Sequence, residues 1–149
     1  MKIAIGSDHA GLSLKKDIMK HLNNKGIEFE DFGTFSEESC DYPDYALKVS
    51  EEVVEGKSKF GILVCGTGIG ISIAANKVPG IRAALCSDTF SAHACREHNN
   101  ANILALGARV VGAGVALDIV DSFLNAQFEG DRHQKRIDKI TNIENKYYK

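Results

Sequence analysis

Cys65 closes the apolar run Phe60-Gly61-Ile62-Leu63-Val64 and is followed by Gly66-Thr67-Gly68-Ile69-Gly70. A short, continuous apolar run of this kind fits a strand buried on both faces of a parallel sheet. In such sheets the ligand crevice lies beyond the carboxyl ends of the strands, so Cys65 is expected to face a substrate. Glycines at 66, 68 and 70 open backbone angles closed to other residues, which lets successive N–H groups converge on one anion where a helix begins. The same donors and the helix dipole favour a thiolate, so Cys65 can serve as a base or a nucleophile near neutral pH. Thr67 adds a hydroxyl among those amides. Packing alone does not require three glycines at alternate positions.

Other residues with chemistry to offer are spread along the chain. Asp8 and His9 follow the first apolar run and would face the same crevice, although an aspartate there can also cap the next helix. His98 ends a helical stretch beside Asn99, where the dipole favours a cation and where a histidine can also move protons. His93, Cys95 and His98 are close in sequence, but positions 93 and 95 point to different sides of a helix, so no metal site is expected. Arg132 and Arg136, four apart, share one helix face and suit a phosphate; a solvated face paired with Asp131 and Asp138 is the plainer alternative. Arg109 follows the last strand and points to the crevice end of the sheet. Three arginines and an amide-lined turn exceed what one phosphate needs, so the arginines are assigned the phosphate and the glycine turn a second oxygen.

These residues need a frame that holds them. Lys2 to Gly6 reads as a first strand, and a helix carrying Leu14, Ile18, Met19 and Leu22 follows, stopped by Asn24-Lys25-Gly26. Ile27 to Phe32 alternates as a half-exposed edge strand does. After a polar loop from Thr34 to Tyr42, Pro43 opens a helix with Tyr45, Ala46, Val49, Val53 and Val54 on one face. The Phe60–Val64 strand and a short glycine-started helix to about Asn76 come next. Ile81 to Cys86 is a fourth strand, Ser87-Asp88 caps a helix from Thr89 to about Glu97, and Ile103 to Gly107 is a fifth strand. Gly112 to Asn125 is an amphipathic helix burying Val115, Ile119, Val120, Phe123 and Leu124. Beyond Gly130 the chain is strongly charged, yet Ile137, Ile140 and Ile143 keep a spacing that suits a helix lying on another surface, a signal for a homodimer. Five strands alternating with helices predict an α/β fold, a doubly wound, Rossmann-like parallel sheet with a C-terminal helix. Dinucleotide binding is not implied, because the glycines follow the third strand and not the first.

The 149 residues fit one domain, 1–149, and 44% hydrophobic with 26% charged content is that of an ordinary globular protein. A net charge of -2 gives no electrostatic reason to expect nucleic acid or an anionic membrane as partner. Met1 to Ile5 is too short for a signal-peptide apolar region, and no apolar stretch nears a membrane span, which predicts a cytoplasmic protein. The cysteines at 40, 65, 86 and 95 form no CxxC pair or disulfide spacing. Cys86 and Cys95 read as small buried residues, and Cys40 lies in the polar loop.

Gly6-Ser7-Asp8-His9-Ala10-Gly11, Asp41-Tyr42-Pro43, the stretch from Cys65 to Lys77, His98-Asn99 and Gly130-Asp131-Arg132-His133 closely resemble the type B ribose-5-phosphate isomerases, end to end. That family also includes subunits of galactose-6-phosphate isomerase and enzymes acting on allose 6-phosphate. The resemblance implies a cofactor-free, metal-free aldose–ketose isomerase that interconverts ribose 5-phosphate and ribulose 5-phosphate through an enediolate. By the same resemblance Cys65 is the base, and Thr67 with the amides of Gly66, Gly68, Ile69 and Gly70 holds the enediolate oxygens. His98 assists opening of the furanose ring; Asp8, His9 and Asn99 bind substrate; Arg109, Arg132 and Arg136 bind its phosphate. One branch of the family uses a carboxylate one turn after the thiol, where this chain has Ile71. The family's site lies between two subunits, which implies a homodimer. A non-catalytic sugar-phosphate sensor using the same loop and arginines is the alternative from another class.

Overall fold

All six residues from Phe60 to Cys65 are buried, as a strand at the centre of a sheet requires. The computed structural model describes residues 1–148. Its elements are β1 (Lys2–Ser7), α1 (Leu12–Asn24), β2 (Glu28–Asp31), α2 (Tyr42–Val54), β3 (Phe60–Cys65), α3 (Ile69–Ala75), β4 (Ala83–Leu85), α4 (Thr89–Asn99), β5 (Ile103–Gly107), α5 (Ala113–Asn125) and α6 (Arg132–Tyr147). The strands form one five-stranded sheet in the order β2-β1-β3-β5-β4, with every pairing parallel. This is the doubly wound α/β architecture that the alternation of strands and helices predicts.

Strand alternation divides the core between the two faces. Ile3, Ile5, Ile62, Val64, Leu104 and Leu106 pack on one side against Leu14 and Ile18 of α1, Ala92 of α4, and Ile119 and Phe123 of α5. Ala4, Leu63, Cys65, Ile103 and Ala105 face Ala46 and Val49 of α2 and Ile71 of α3. Because β2 lies on one side of β1 and β3 on the other, the winding reverses between β1 and β3. A crevice forms at the carboxyl ends of such a pair, where Asp8, His9 and the glycine turn are found.

Several local expectations are corrected. The fourth strand is Ala83–Leu85, not Ile81–Cys86: it is an edge strand paired only with β5, and side chains take backbone donors around it. Asn102 Oδ1 accepts from the Arg82 N–H at 2.8 Å, and Asn76 Oδ1 from the Ala83 N–H at 2.8 Å. The second strand is trimmed to Glu28–Asp31, while α4 runs to Asn99 and puts His98 and Asn99 in its last turn. Val54 and Val115 are exposed, because each lies past the margin of its helix's buried stripe. Asp88 does cap α4, accepting from the Ser91 N–H at 2.6 Å. In α6, Ile137 is buried while Ile140 and Ile143 are exposed and line a groove of about 500 Å³ with Ile81, Ala83 and Tyr148. Among the described residues no helix is long and apolar enough to cross a membrane.

Candidate active site

A cleft of about 330 Å³ at the carboxyl ends of β1 and β3 is lined by Asp8, His9, Ala10, Tyr42, Cys65, Gly66, Thr67, Gly70 and Arg109. Cys65 is held at its floor by the end of β3, with only 5% of its surface exposed. The Gly68 N–H donates to its Sγ at 3.1 Å, a hydrogen bond that stabilises negative charge on sulfur. Ile71, in the place where a carboxylate would compete for the role of base, is wholly buried in the core.

The three glycines act differently from the expectation that all of them supply special angles. Only Gly68 is left-handed, at φ 76°, and a Cβ there would lie 2.8 Å from the Leu106 carbonyl carbon. Gly66 and Gly70 instead admit neighbours: a Cβ would come within 3.2 Å of the Arg109 guanidinium at Gly66 and 2.6 Å of Tyr42 Cζ at Gly70. The amides do not all converge on an open anion site either. Gly68 donates to Cys65, and Ile69 donates to Thr67 Oγ1 at 3.2 Å. With that oxygen accepting, the Thr67 hydroxyl hydrogen is left to point into the cleft.

Asp8 does not cap α1 itself but closes the turn that leads into it, and it faces the cleft. Its Oδ1 accepts from the Gly11 N–H at 3.0 Å, closing the turn before α1, while its carboxylate also lines the cleft. His9 Nδ1 accepts from the Cys40 N–H at 3.2 Å, so the neutral ring carries its proton on Nε2 as a donor. Cys40, unassigned from sequence, thus sits beside His9, with its Sγ 3.8 Å from Nδ1. Arg109 is anchored by its N–H to the Gly66 carbonyl at 2.9 Å and swings its exposed guanidinium over that glycine. Tyr42 is the wall residue that sequence reading left out; its signal was the Asp41-Tyr42-Pro43 motif and a glycine at 70 that has to give room to a ring.

The remaining candidates do not join this cleft within one chain. Helix α4 carries His98 and Asn99 back to the other end of the sheet, where the Asn102 carbonyl accepts from the Gly61 N–H at the start of β3. The six residues of β3 separate that end from Cys65 by roughly 17 Å at about 3.3 Å per residue. Arg82 grips the Asn99 and Asn100 carbonyls at 3.0 and 3.1 Å, and the buried Arg96 donates to Asn100 Oδ1 at 2.8 Å, fixing this corner. Helix α6 packs on α4 and brings Arg132 and Arg136 to the same region, both exposed and without an ion pair among the described residues. The chain therefore presents two separated sets: Asp8, His9, Cys65, Thr67 and Arg109 at one end, and His98, Asn99, Arg132 and Arg136 at the other.

The histidine–cysteine trio at 93, 95 and 98 does not gather: His93 Nδ1 lies 3.2 Å from Glu97 and Cys95 donates to the Ala92 carbonyl at 3.1 Å. Cys86 and Cys95 are both buried, as small core residues are, and their mutual hydrogen bond together with burial pushes the Cys86 thiol up. Donor atoms of His98, Glu129 and His133 do lie within 4.8 Å of one another. The two rings are stacked at an interplanar angle of 15°, so their in-plane lone pairs run side by side and would have to turn to share a cation.

Residues 3–140 match the family model described as Ribose/Galactose Isomerase. Ribose-5-phosphate isomerase B of Escherichia coli is 54% identical over 143 residues, which cover 96% of each chain. Among solved structures, that of Clostridium thermocellum ribose-5-phosphate isomerase B is 60% identical, with a TM-score of 0.98 over 99% of each chain. The Mycoplasma genitalium ribose-5-phosphate isomerase B solved with bound ribulose-5-phosphate is 46% identical, with a TM-score of 0.93 over 97% of this chain and 96% of that one.

Proposed function

The chain belongs to the ribose/galactose isomerase family, and we propose that it interconverts ribose 5-phosphate and ribulose 5-phosphate with Cys65 as the base. The observation that carries the proposal is the buried Cys65 Sγ, receiving an amide N–H at the floor of a cleft that also presents Asp8, His9, Thr67 and Arg109. An anion sensor has no use for a thiol in that place.

Starting from the aldose, the furanose first opens. The C1–O4 bond breaks, O4 takes a proton from His98, and the O1 hydroxyl passes its proton to water, from which His98 is reprotonated, as the C1 carbonyl forms. The Cys65 thiolate then removes the proton on C2. The electron pair moves through C1 onto O1, and the enediolate oxygens are held by the Thr67 hydroxyl and by the turn amides that Cys65 and Thr67 Oγ1 do not already take, those of Gly66, Thr67 and Gly70. Preorganised donors matter here because a proton beside a carbonyl is only weakly acidic, and each such donor contributes on the order of 3 kcal/mol. Cys65 returns its proton to C1, and the O2 proton passes to O1, which completes the ketose. Arg109, Arg132 and Arg136 hold the phosphate, and Asp8, His9 and Asn99 hold hydroxyls.

Because Cys65 and His98 stand at opposite ends of one chain, this reaction requires a homodimer in which each site takes one set from each subunit. The half-covered apolar face of α6 at Ile140 and Ile143 supports the same reading. Turnover of ribose 5-phosphate in deuterated water is expected to put label on C1 of ribulose 5-phosphate, and Cys65→Ala to abolish turnover with the thermal melt unchanged. Retained activity in that variant would sink the thiol-base assignment. Allose 6-phosphate and galactose 6-phosphate, run beside ribose 5-phosphate, test the five-carbon preference.

A further inference from the structure

Helix α6 buries only two residues, Ile137 and His133. A buried imidazole is a poor choice for packing, since an apolar side chain would fill the place without the desolvation of two ring nitrogens. The His133 side chain is 7% exposed, and its Nε2 is buried with no aligned hydrogen bond. What it does have is a ring and a carboxylate. Its plane lies flat on His98, with centroids 4.5 Å apart and 15° between planes, and Glu129 Oε2 stands 3.3 Å from Nε2. Glu129 is itself clipped to the helix that carries His98: its N–H donates at 3.0 Å to the carbonyl of Glu97, the residue before His98. Residues 129–133 therefore close over His98 from one side, while Arg82 and Arg96 fix the helix end behind it.

We infer that His133, held by Glu129, is a positioning residue for His98: the stacked ring fixes the plane of the His98 imidazole and so the direction in which it delivers a proton. The inference rests on the assignment of ring opening to His98. A proton donor to O4 must point along one lone pair of that oxygen, and a solvent-facing histidine at a helix end has several rotamers to choose from. A flat neighbour in van der Waals contact removes most of them. The carboxylate keeps the neighbour from turning.

Ribulose 5-phosphate carries its phosphate on the hydroxyl that a ketose would need to form a five-membered ring, so it enters the site open. In deuterated water its C1 proton exchanges through the enediolate with no ring step, whereas conversion of ribose 5-phosphate needs the ring opened as well. Conversion in the two directions is tied by one equilibrium constant, so the test sets this exchange against conversion of the aldose, with kcat and KM, for His98→Ala, His133→Ala, His133→Phe and Glu129→Gln in the intact protein. His133→Ala is expected to lose on the order of tenfold or more in kcat from ribose 5-phosphate, with KM unchanged and less than about threefold loss in the exchange of ribulose 5-phosphate. His133→Phe, which keeps a flat ring, is expected to recover most of that loss. Glu129→Gln, at an exposed residue that can be changed without unfolding the chain, should show a smaller loss, again in conversion and not in exchange.

Equal losses in conversion and in exchange, or a rise in KM for ribose 5-phosphate, would overturn the inference, since those are the signs of a structural role or of direct contact with substrate. Wild-type kinetics in both His133→Ala and Glu129→Gln would overturn it as well. His98→Ala separates the two levels. If it loses no more in conversion of the aldose than in exchange of the ketose, the ring-opening assignment fails; if it shows that selective loss while the His133 and Glu129 variants do not, only the positioning role fails.

Discussion

Gly70 gives up its side chain so that the Tyr42 ring can stand against the cleft, and Gly66 does the same for the end of the Arg109 side chain. The two neighbours differ in how freely they can move. A ring at the first turn of α2 has few alternatives, whereas a guanidinium at the end of an exposed arginine has many. Gly70→Ala is therefore expected to cut kcat/KM for ribose 5-phosphate on the order of tenfold by displacing Tyr42, with little loss of stability. Gly66→Ala should only raise KM a few-fold; steady-state kinetics beside a thermal melt distinguish the two, and equal effects would contradict this account. At this scale Cys65, Thr67, Asp8, His9 and Arg109 were legible because each follows directly on a strand end or glycine turn that the sequence pattern locates. Tyr42 was not, because the loop that delivers it has no periodicity. Nor was the contact of Cys40 with His9, which joins residues 31 positions apart.

Two pairings between elements decide how firmly the frame holds the cleft. Lys15 of α1 is wholly buried, with Nζ 2.6 Å from Asp31 Oδ1 and 2.6 Å from the Thr34 carbonyl, so it ties the end of β2 and the loop after it to α1. Read from the sequence it is one of several lysines on a polar helix face; only the topology puts an aspartate and a carbonyl over it. Removing one partner of a buried pair leaves the other uncompensated, so Lys15→Met is expected to cost about 3 kcal/mol in urea unfolding, and Asp31→Asn added to it to restore part of that. Helix α5 is tied to α1 by Asp121, which meets His21 Nε2 at 2.8 Å and Lys25 Nζ at 3.0 Å. Burial pulls the Asp121 carboxyl up, but the hydrogen bonds and charges of His21 and Lys25 outweigh it and hold it below the usual carboxylate range. A depressed carboxylate stabilises the fold above its unfolded value of about 3.9, and that contribution is lost as pH falls through the lower folded value. Asp121→Asn should thus cost at most about 1 kcal/mol at pH 7, and the gap to the parent protein should close below about pH 4; a gap independent of pH would contradict the pairing. The strong elements were legible for the same kind of reason: β3 is apolar throughout because it is covered on both faces, and α1 keeps a clean stripe. The sequence overextends β4, because an edge strand of three residues looks like the start of a longer one.

Across the whole molecule, the sheet separates the residues that the proposed reaction has to unite. Helix α4 begins beyond the carboxyl end of β4 and finishes at the opposite end of the sheet, so no fold of this topology can bring its own His98 to its own Cys65. That separation is invisible in the sequence, where both positions read only as residues with chemistry. On the proposed reaction a dimer becomes part of the mechanism, and mixing variants tests that directly. Cys65→Ala and His98→Ala subunits, each inactive alone on ribose 5-phosphate, should regain activity when unfolded together and refolded as mixed dimers, because one of the two sites in each hybrid then carries both native residues. With random pairing, about a quarter of all sites are intact, so about a quarter of the parent activity is expected. Recovery of no activity from hybrids shown to have formed would contradict the account, because it would mean that Cys65 and His98 do not meet across two subunits.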